Sequence, residues 1–194
     1  MSTDKGAHLE QVQQKIRNLV TEFTQGKVSA EQFNILYERF SAQLALASSG
    51  VQIAQDESFN TVAIRSATRG KAVGLGVYHH RSGTMVETLG SFDVPPAVMS
   101  GVLNEFSDRL ERHELIEPRL LKLESVYWLV FMARTMTTAI IVFVNEPSAA
   151  QLRELERIHH DFEEANRHHL EASTVDPHAL ARPFLGFIKR RLGG

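Results

Sequence analysis

Two apolar runs set the frame of this chain: Tyr127-Trp128-Leu129-Val130-Phe131-Met132, and Thr138-Ala139-Ile140-Ile141-Val142-Phe143-Val144. The first is nearly continuous in apolar residues, as in a strand covered on both faces. The second is the most β-prone segment of the chain, dense in branched and aromatic side chains. Thr135-Met136-Thr137 between them reads as a turn. Just upstream, Leu121 and Leu123 alternate with Lys122 and Glu124, so residues 120–134 are strand material throughout.

The segments around these runs supply the rest of a sheet and its cover. In residues 72–78, Val73, Leu75 and Val77 alternate with small residues. That spacing predicts a strand with the three side chains on one face and a helix packed closely over the glycines. Arg81-Ser82-Gly83 is a turn, and residues 84–89 return as the second arm of a hairpin. Pro95-Pro96 fit only the first turn of a helix, whose stripe is Met99, Val102, Leu103, Phe106, Leu110 and His113. Ser148 and Gln151 have capping-box spacing, ahead of a helix that buries Leu152, Leu155, Ile158 or His159, Phe162 and Ala165. Residues 71–170 therefore read hairpin, helix, strands, helix. Short links make the sheet mostly antiparallel, and the fold class is α+β.

Ahead of this block, Leu9, Val12, Ile16, Leu19, Val20 and Phe23 form one helical stripe, closed by Gly26. Ser29 and Gln32 open a second helix with Phe33, Leu36, Tyr37, Phe40 and Leu44 inward. The stretch LVTEFTQGKVSAEQFNILYERF resembles bacterial helical-hairpin modules of the SHOCT type, which are associated with oligomerisation. Its stripes need a partner, either the main domain or a second copy. Residues 58–69 are a further candidate helix, although residues 61–64 could equally begin a strand. The predicted organisation is a helical hairpin over 1–50, an α+β domain over 51–170, and a linker with an amphipathic tail over 171–194.

At 194 residues and 43% hydrophobic composition, the chain suits one domain with appendages. A net charge of -2 argues against nucleic-acid binding, which needs a basic face for phosphates. With no cysteine there is no disulfide, thiolate zinc site or thiol nucleophile. The N-terminus lacks a signal-peptide run, and no stretch reaches the roughly 20 apolar residues that span a bilayer. The expected location is cytoplasmic, with peripheral contact at the inner face of the cell membrane. No GxSxG, Walker A, GxGxxG or HExxH pattern is present. His160, Glu164 and His168 share a helix face, but Asp161, Glu163 and Arg167 around them make a solvated face the plainer reading. His79 and His80 read as exposed turn residues. Tyr127 and Trp128 have no interleaved basic residues and point to packing rather than base stacking. The chain is expected to be no enzyme, with no catalytic, metal-binding or cofactor-binding residue.

Three stretches carry a family resemblance: AVGLGVYHHRSGTMVETLG, then PPAVMSGVLNEFSDRLERHEL, then RLLKLESVYWLVFMARTMTTAIIVFVNEP with its closing helix. Over about residues 58–170 they resemble the Roadblock/dynein-light-chain family, whose fold is profilin-like or longin-like. The resemblance implies a non-enzymatic homodimer or scaffold. Such proteins pair edge to edge through the sheet and present a composite surface to a small Ras-like GTPase or a motor complex. A very apolar strand near a sheet edge is an association hazard unless paired, so Tyr127, Trp128, Val130 and Met132 are the candidate dimer interface. The alternative is a PAS- or GAF-like small-molecule sensory domain that signals through the N-terminal helices.

Beyond Asp176 the chain has no acidic residue, while Arg182, Lys189, Arg190 and Arg191 are basic. On a helical wheel Leu180, Phe184, Phe187, Ile188 and Leu192 share one face, with Leu185 beside it and the basic residues flanking. The core Gly-Phe-Ile-Lys-Arg and the terminal Gly-Gly are similar to the membrane-targeting helix of MinD-type cell-division ATPases. Three destinations stand open: the chain's own domain, a protein groove, and an anionic membrane surface. The mixture of aromatic, aliphatic and basic faces favours the membrane, and two tails on one dimer would raise avidity.

Overall fold

The computed structural model describes residues 3–48, 70–123 and 127–192; the candidate helix over 58–69 lies outside them. The elements are α1 (Thr3–Thr24), α2 (Ala30–Ser48), β1 (Lys71–His79), β2 (Thr84–Gly90), α3 (Pro96–Glu111), β3 (Arg119–Lys122), β4 (Tyr127–Ala133), β5 (Thr137–Val144), α4 (Ala149–Leu170) and α5 (Phe184–Leu192). The fold is α+β. Its five strands form one sheet in the order β2-β1-β5-β4-β3, antiparallel at every pairing.

The helix boundaries follow local chemistry. Gln32 N–H donates to Ser29 Oγ at 3.2 Å and Ser29 N–H to Gln32 Oε1 at 3.0 Å, a reciprocal box that starts α2. The same box, from Ser148 and Gln151, starts α4. Gly26 ends the first helix at φ 70°. His113 falls past the end of α3 at φ 56°, so it belongs to the turn and not to the helix stripe.

The two middle strands divide their side chains by parity between two cores. Leu129, Phe131, Ile140 and Val142 face Val102 and Phe106 of α3. Val130, Met132, Ile141 and Phe143 face Leu155, Ile158 and Phe162 of α4. This is why both strands are apolar throughout. The sheet is thus covered by α3 on one side and by α4 and α5 on the other. A third cluster joins Val12, Ile16, Leu19, Phe33 and Tyr37 of the α1–α2 hairpin to Ala165 of α4 and to Ala181. The hairpin's stripes find their partner within the same chain.

In β1, Val73 does not share a face with Leu75 and Val77, contrary to the alternation read from the sequence. A bulge between Ala72 and Gly74 shifts the parity. Val73 joins the α3 side, whereas Ala72, Leu75 and Val77 join the α4 side. The small residues of β1 also receive a loop rather than a helix. A Cβ at Gly74 would lie 2.0 Å from Ser91 O, and one at Gly76 would lie 2.7 Å from the Phe92 ring.

Candidate functional site

The tail that the sequence directs outward is folded in. Leu180 is 2% exposed, Phe184 0%, Phe187 1% and Ile188 2%, all within the core formed by α4 and the sheet. Leu185 is half-buried and Lys189 exposed; the side chains of Arg190, Arg191 and Leu192 lie outside those described. Specific polar contacts fix the approach to α5. The Asn166 amide donates to Ala181 O at 2.9 Å and accepts from Ala181 N–H at 2.7 Å. Arg182 N–H donates to Asn34 Oδ1 at 2.6 Å. Lys189 reaches Glu38 on α2 at 3.5 Å, and Gly186 lets α5 approach the Glu38 backbone closely.

Burying a large apolar side chain contributes about 1.5–3 kcal/mol, so these four residues contribute about 6–12 kcal/mol. That is a gross gain, offset in part by the conformational entropy lost in ordering α5. In this conformation the apolar face set down for membrane or partner docking is therefore a structural face. The sequence could specify that α5 must bury one side. It could not specify that the sheet would offer the seat.

One polar group lies beneath that seat. Glu87 of β2 is 6% exposed, and neither carboxylate oxygen has a hydrogen-bond partner among the described residues. Among the described residues its close cation is Arg182, with Nε 3.8 Å from Oε1. Burial pushes the Glu87 pKa up to about 7, with Arg182 opposing.

The dimer candidates separate in the structure. The strand that carries Trp128 is not an edge, because β3 pairs along it. Val130 and Met132 are core residues at 0% and 3% exposure, which corrects their assignment to an interface. Tyr127 is 44% exposed, and Trp128 is half-buried opposite Lys122. Among the described residues the edge strand on this side is β3. Leu123 N–H donates to Tyr127 O at 2.8 Å, so by antiparallel alternation Leu120 and Lys122 direct their peptide groups away from the sheet. Leu115, exposed at 83%, precedes this edge, and Tyr127 stands beyond its other end.

The helix face of His160 and His168, read as solvated, is exposed, but polar residues beside it are buried. His159 is 0% exposed, Glu163 3% and Asp161 8%, because α4 lies between the sheet and the hairpin. Each of these three has a polar partner. Tyr37 O–H donates to Asp161 Oδ2 at 2.5 Å, and Arg157 reaches the same oxygen at 2.9 Å. Burial raises the pKa of Asp161, and its two partners oppose that rise. Thr137 donates its backbone N–H and its hydroxyl to Glu163 Oε1, each at 2.8 Å. His79 is also buried, not exposed: its Nε2–H donates to Leu170 O at 2.8 Å. The sequence carries the α4 residues within an apparently polar run, and only the sheet and the hairpin on its two sides reveal their role.

His160 and His168 are exposed, and no group of His, Asp and Glu suited to a metal ion is found among the described residues. No described helix is long and apolar enough to cross a membrane. Comparison with protein-family models, curated proteins and solved structures finds no match.

Proposed function

We propose that the chain is a non-enzymatic adaptor that self-associates through the β3 edge of its sheet. The observation that carries this reading is that edge: peptide groups at Leu120 and Lys122 that face away from β4 and meet no strand among the described residues, with Leu115 and Tyr127 exposed beside it. An open edge is a template for a second strand, and exposed apolar side chains at both its ends add area to such a pairing. The element order hairpin, helix, strands, helix supports the Roadblock resemblance. Through that resemblance the reading extends to a paired sheet offered to a small Ras-like GTPase or another protein assembly.

Reversible membrane contact through the tail is the second part of the reading, and the packing sets its condition. The face of α5 must leave the core first, which gives up that apolar burial. A docked tail leaves adaptor function to the sheet edge, and membrane contact then requires a partner or lipid surface that compensates for release.

Lys122→Pro tests the edge. Proline removes the outward N–H and leaves the bonds to β4 in place, which an edge strand tolerates. Sedimentation equilibrium should show a wild-type dimer and a Lys122→Pro monomer with an unchanged circular dichroism spectrum. A monomeric wild type, or a dimeric variant, would falsify pairing through β3.

A further inference from the structure

The fold buries the carboxylates of Asp161, Glu163 and Glu87. The first two accept hydrogen bonds from Tyr37 and Thr137. Glu87 accepts none: both its oxygens are buried without a donor among the described residues. An irregularity in strand pairing puts it there. Glu87 stands opposite Val77 and Met85 opposite Tyr78, so Val86 is an extra residue in β2. Such a bulge lets two successive side chains turn to one face. Val86 and Glu87 are accordingly 4% and 6% exposed. Val86 and Val77, the cross-strand neighbour of Glu87, belong to the core on the side of the sheet that carries α4 and α5.

The elements around Glu87 bring it little compensation. Arg182, on the approach to α5, is the charge that acts on it, and its Nε stands 3.8 Å from Oε1, too far for a hydrogen bond. β2 has no other titratable residue. β1 brings Tyr78 and His79 next to Val77, with Lys71 at its far end, and His79 is bonded to Leu170 O and Ser82. On α5, Lys189 turns to Glu38 of α2. On α4, His159 packs its ring against Phe184 of α5, while Asp161 and Glu163 hold partners of their own. The docked tail thus covers a carboxylate and supplies one loosely placed cation.

We propose that Glu87 is a proton-controlled latch on α5: the helix docks over the protonated carboxyl, and ionisation favours its release. An ionised carboxylate under α5 has lost water and gained no donor, whereas release from Arg182 onward lets water solvate it. Burial pushes the Glu87 pKa from 4.5 up to about 7 in the docked state, with Arg182 opposing, and release returns it toward 4.5. The docked form therefore holds the proton more tightly. Docking is strongest below pH 4.5, weakens as pH rises to 7 and levels off above it. That gap limits the change in the docking constant to about 300-fold. The inference stands apart from self-association at β3 and from lipid contact, and it gives α5 a condition for release that the chain itself contains.

Native-state hydrogen exchange on the full chain tests it, read as protection factors so that the intrinsic pH dependence of exchange cancels. The α5 amides should open separately from those of β5, with protection at least about tenfold lower at pH 7.5. From pH 5 to pH 7.5 their protection should fall at least about tenfold in the wild type and less than about twofold in Glu87→Gln, which has no charge to gain. Arg182→Leu removes the opposing cation and should deepen the fall. Should Glu87→Gln fail to fold, the carbon-13 resonance of the wild-type Glu87 carboxyl decides. A titration midpoint above about pH 6 supports the latch, and one at the ordinary carboxylate value overturns it. Equal protection of α5 and β5 at both pH values, or the same fall in Glu87→Gln as in the wild type, would also overturn it.

Discussion

Helix α5 and strand β3 are both short amphipathic segments at the margin of the chain's main block, and the fold treats them in opposite ways. On α5, Phe184, Phe187 and Ile188 are sealed under α2 and against the sheet, and Lys189 remains outside. On β3, Leu120 and Leu121 are only half-buried, the outer peptide groups meet no strand among the described residues, and exposed Leu115 and Tyr127 stand at its ends. The segment that reads as the most mobile surface device is core. The segment that reads as ordinary sheet is the open surface. Amphipathicity states that a face must be covered, but the covering element is non-local, and two segments of similar pattern can meet opposite fates.

The comparison can be broken most severely at α5. Phe184→Glu with Ile188→Glu places two carboxylates in a closed apolar seat, where burying an unpaired charge costs several kcal/mol each. The expected result is loss of a cooperative urea transition. A variant as stable as the wild type would mean that α5 spends its time away from the domain.

A cross-link asks the same question without damage to the core. A Cβ built at Gly186 lies 3.4 Å from Glu38 Cβ, near the range that a disulfide spans. The chain has no cysteine, so Glu38→Cys with Gly186→Cys gives one defined bridge. It should form on mild oxidation and stabilise by about 2–4 kcal/mol, as measured by the denaturation midpoint. Anionic-liposome sedimentation of the oxidised and reduced forms then separates the two roles of the tail. Binding lost only on oxidation means that release is required, and binding unaffected by oxidation removes α5 from membrane contact.

The carboxylate beneath α5 gives a pH test. The Glu87 pKa rises from 4.5 to about 7 on folding, so the folded state keeps a proton that the unfolded chain releases. The stability linked to that proton is fully present below pH 4.5 and is lost as pH rises through 7, about 3 kcal/mol in all. Glu87→Gln should therefore be more stable than wild type at pH 8 by up to that amount, and nearly equal to it at pH 4. Equal stability at both values would place Glu87 in contact with water. His159 works in the other direction: its pKa is lowered from 6.5 to about 3, so its share is present above 6.5 and lost on acidification. Wild-type stability should peak between these limits.

The smallest expected effect on monomer stability lies at β3. Lys122→Pro should change the unfolding free energy by less than about 0.5 kcal/mol, as for surface positions outside the core, yet abolish the dimer. A large stability loss would show that the outer side of β3 is covered within the monomer.

By itself the sequence determined the local devices. The capping boxes at Ser29 and Ser148, the glycine stop at Gly26, the prolines that open α3 and the β-rich runs of β4 and β5 depend on neighbours a few residues apart. They led to an α+β class with an antiparallel sheet. Tertiary structure alone decided which faces meet. It put His159, Asp161 and Glu163 inside because α4 is covered on two sides, turned Val73 across the sheet by a bulge, placed β3 outside the strand that carries Trp128, and seated α5 on β1. The reason is one of range. A helix or strand pattern is set by spacing along the chain, whereas the occupant of an apolar or polar face is chosen by residues brought near only when the whole sheet has closed.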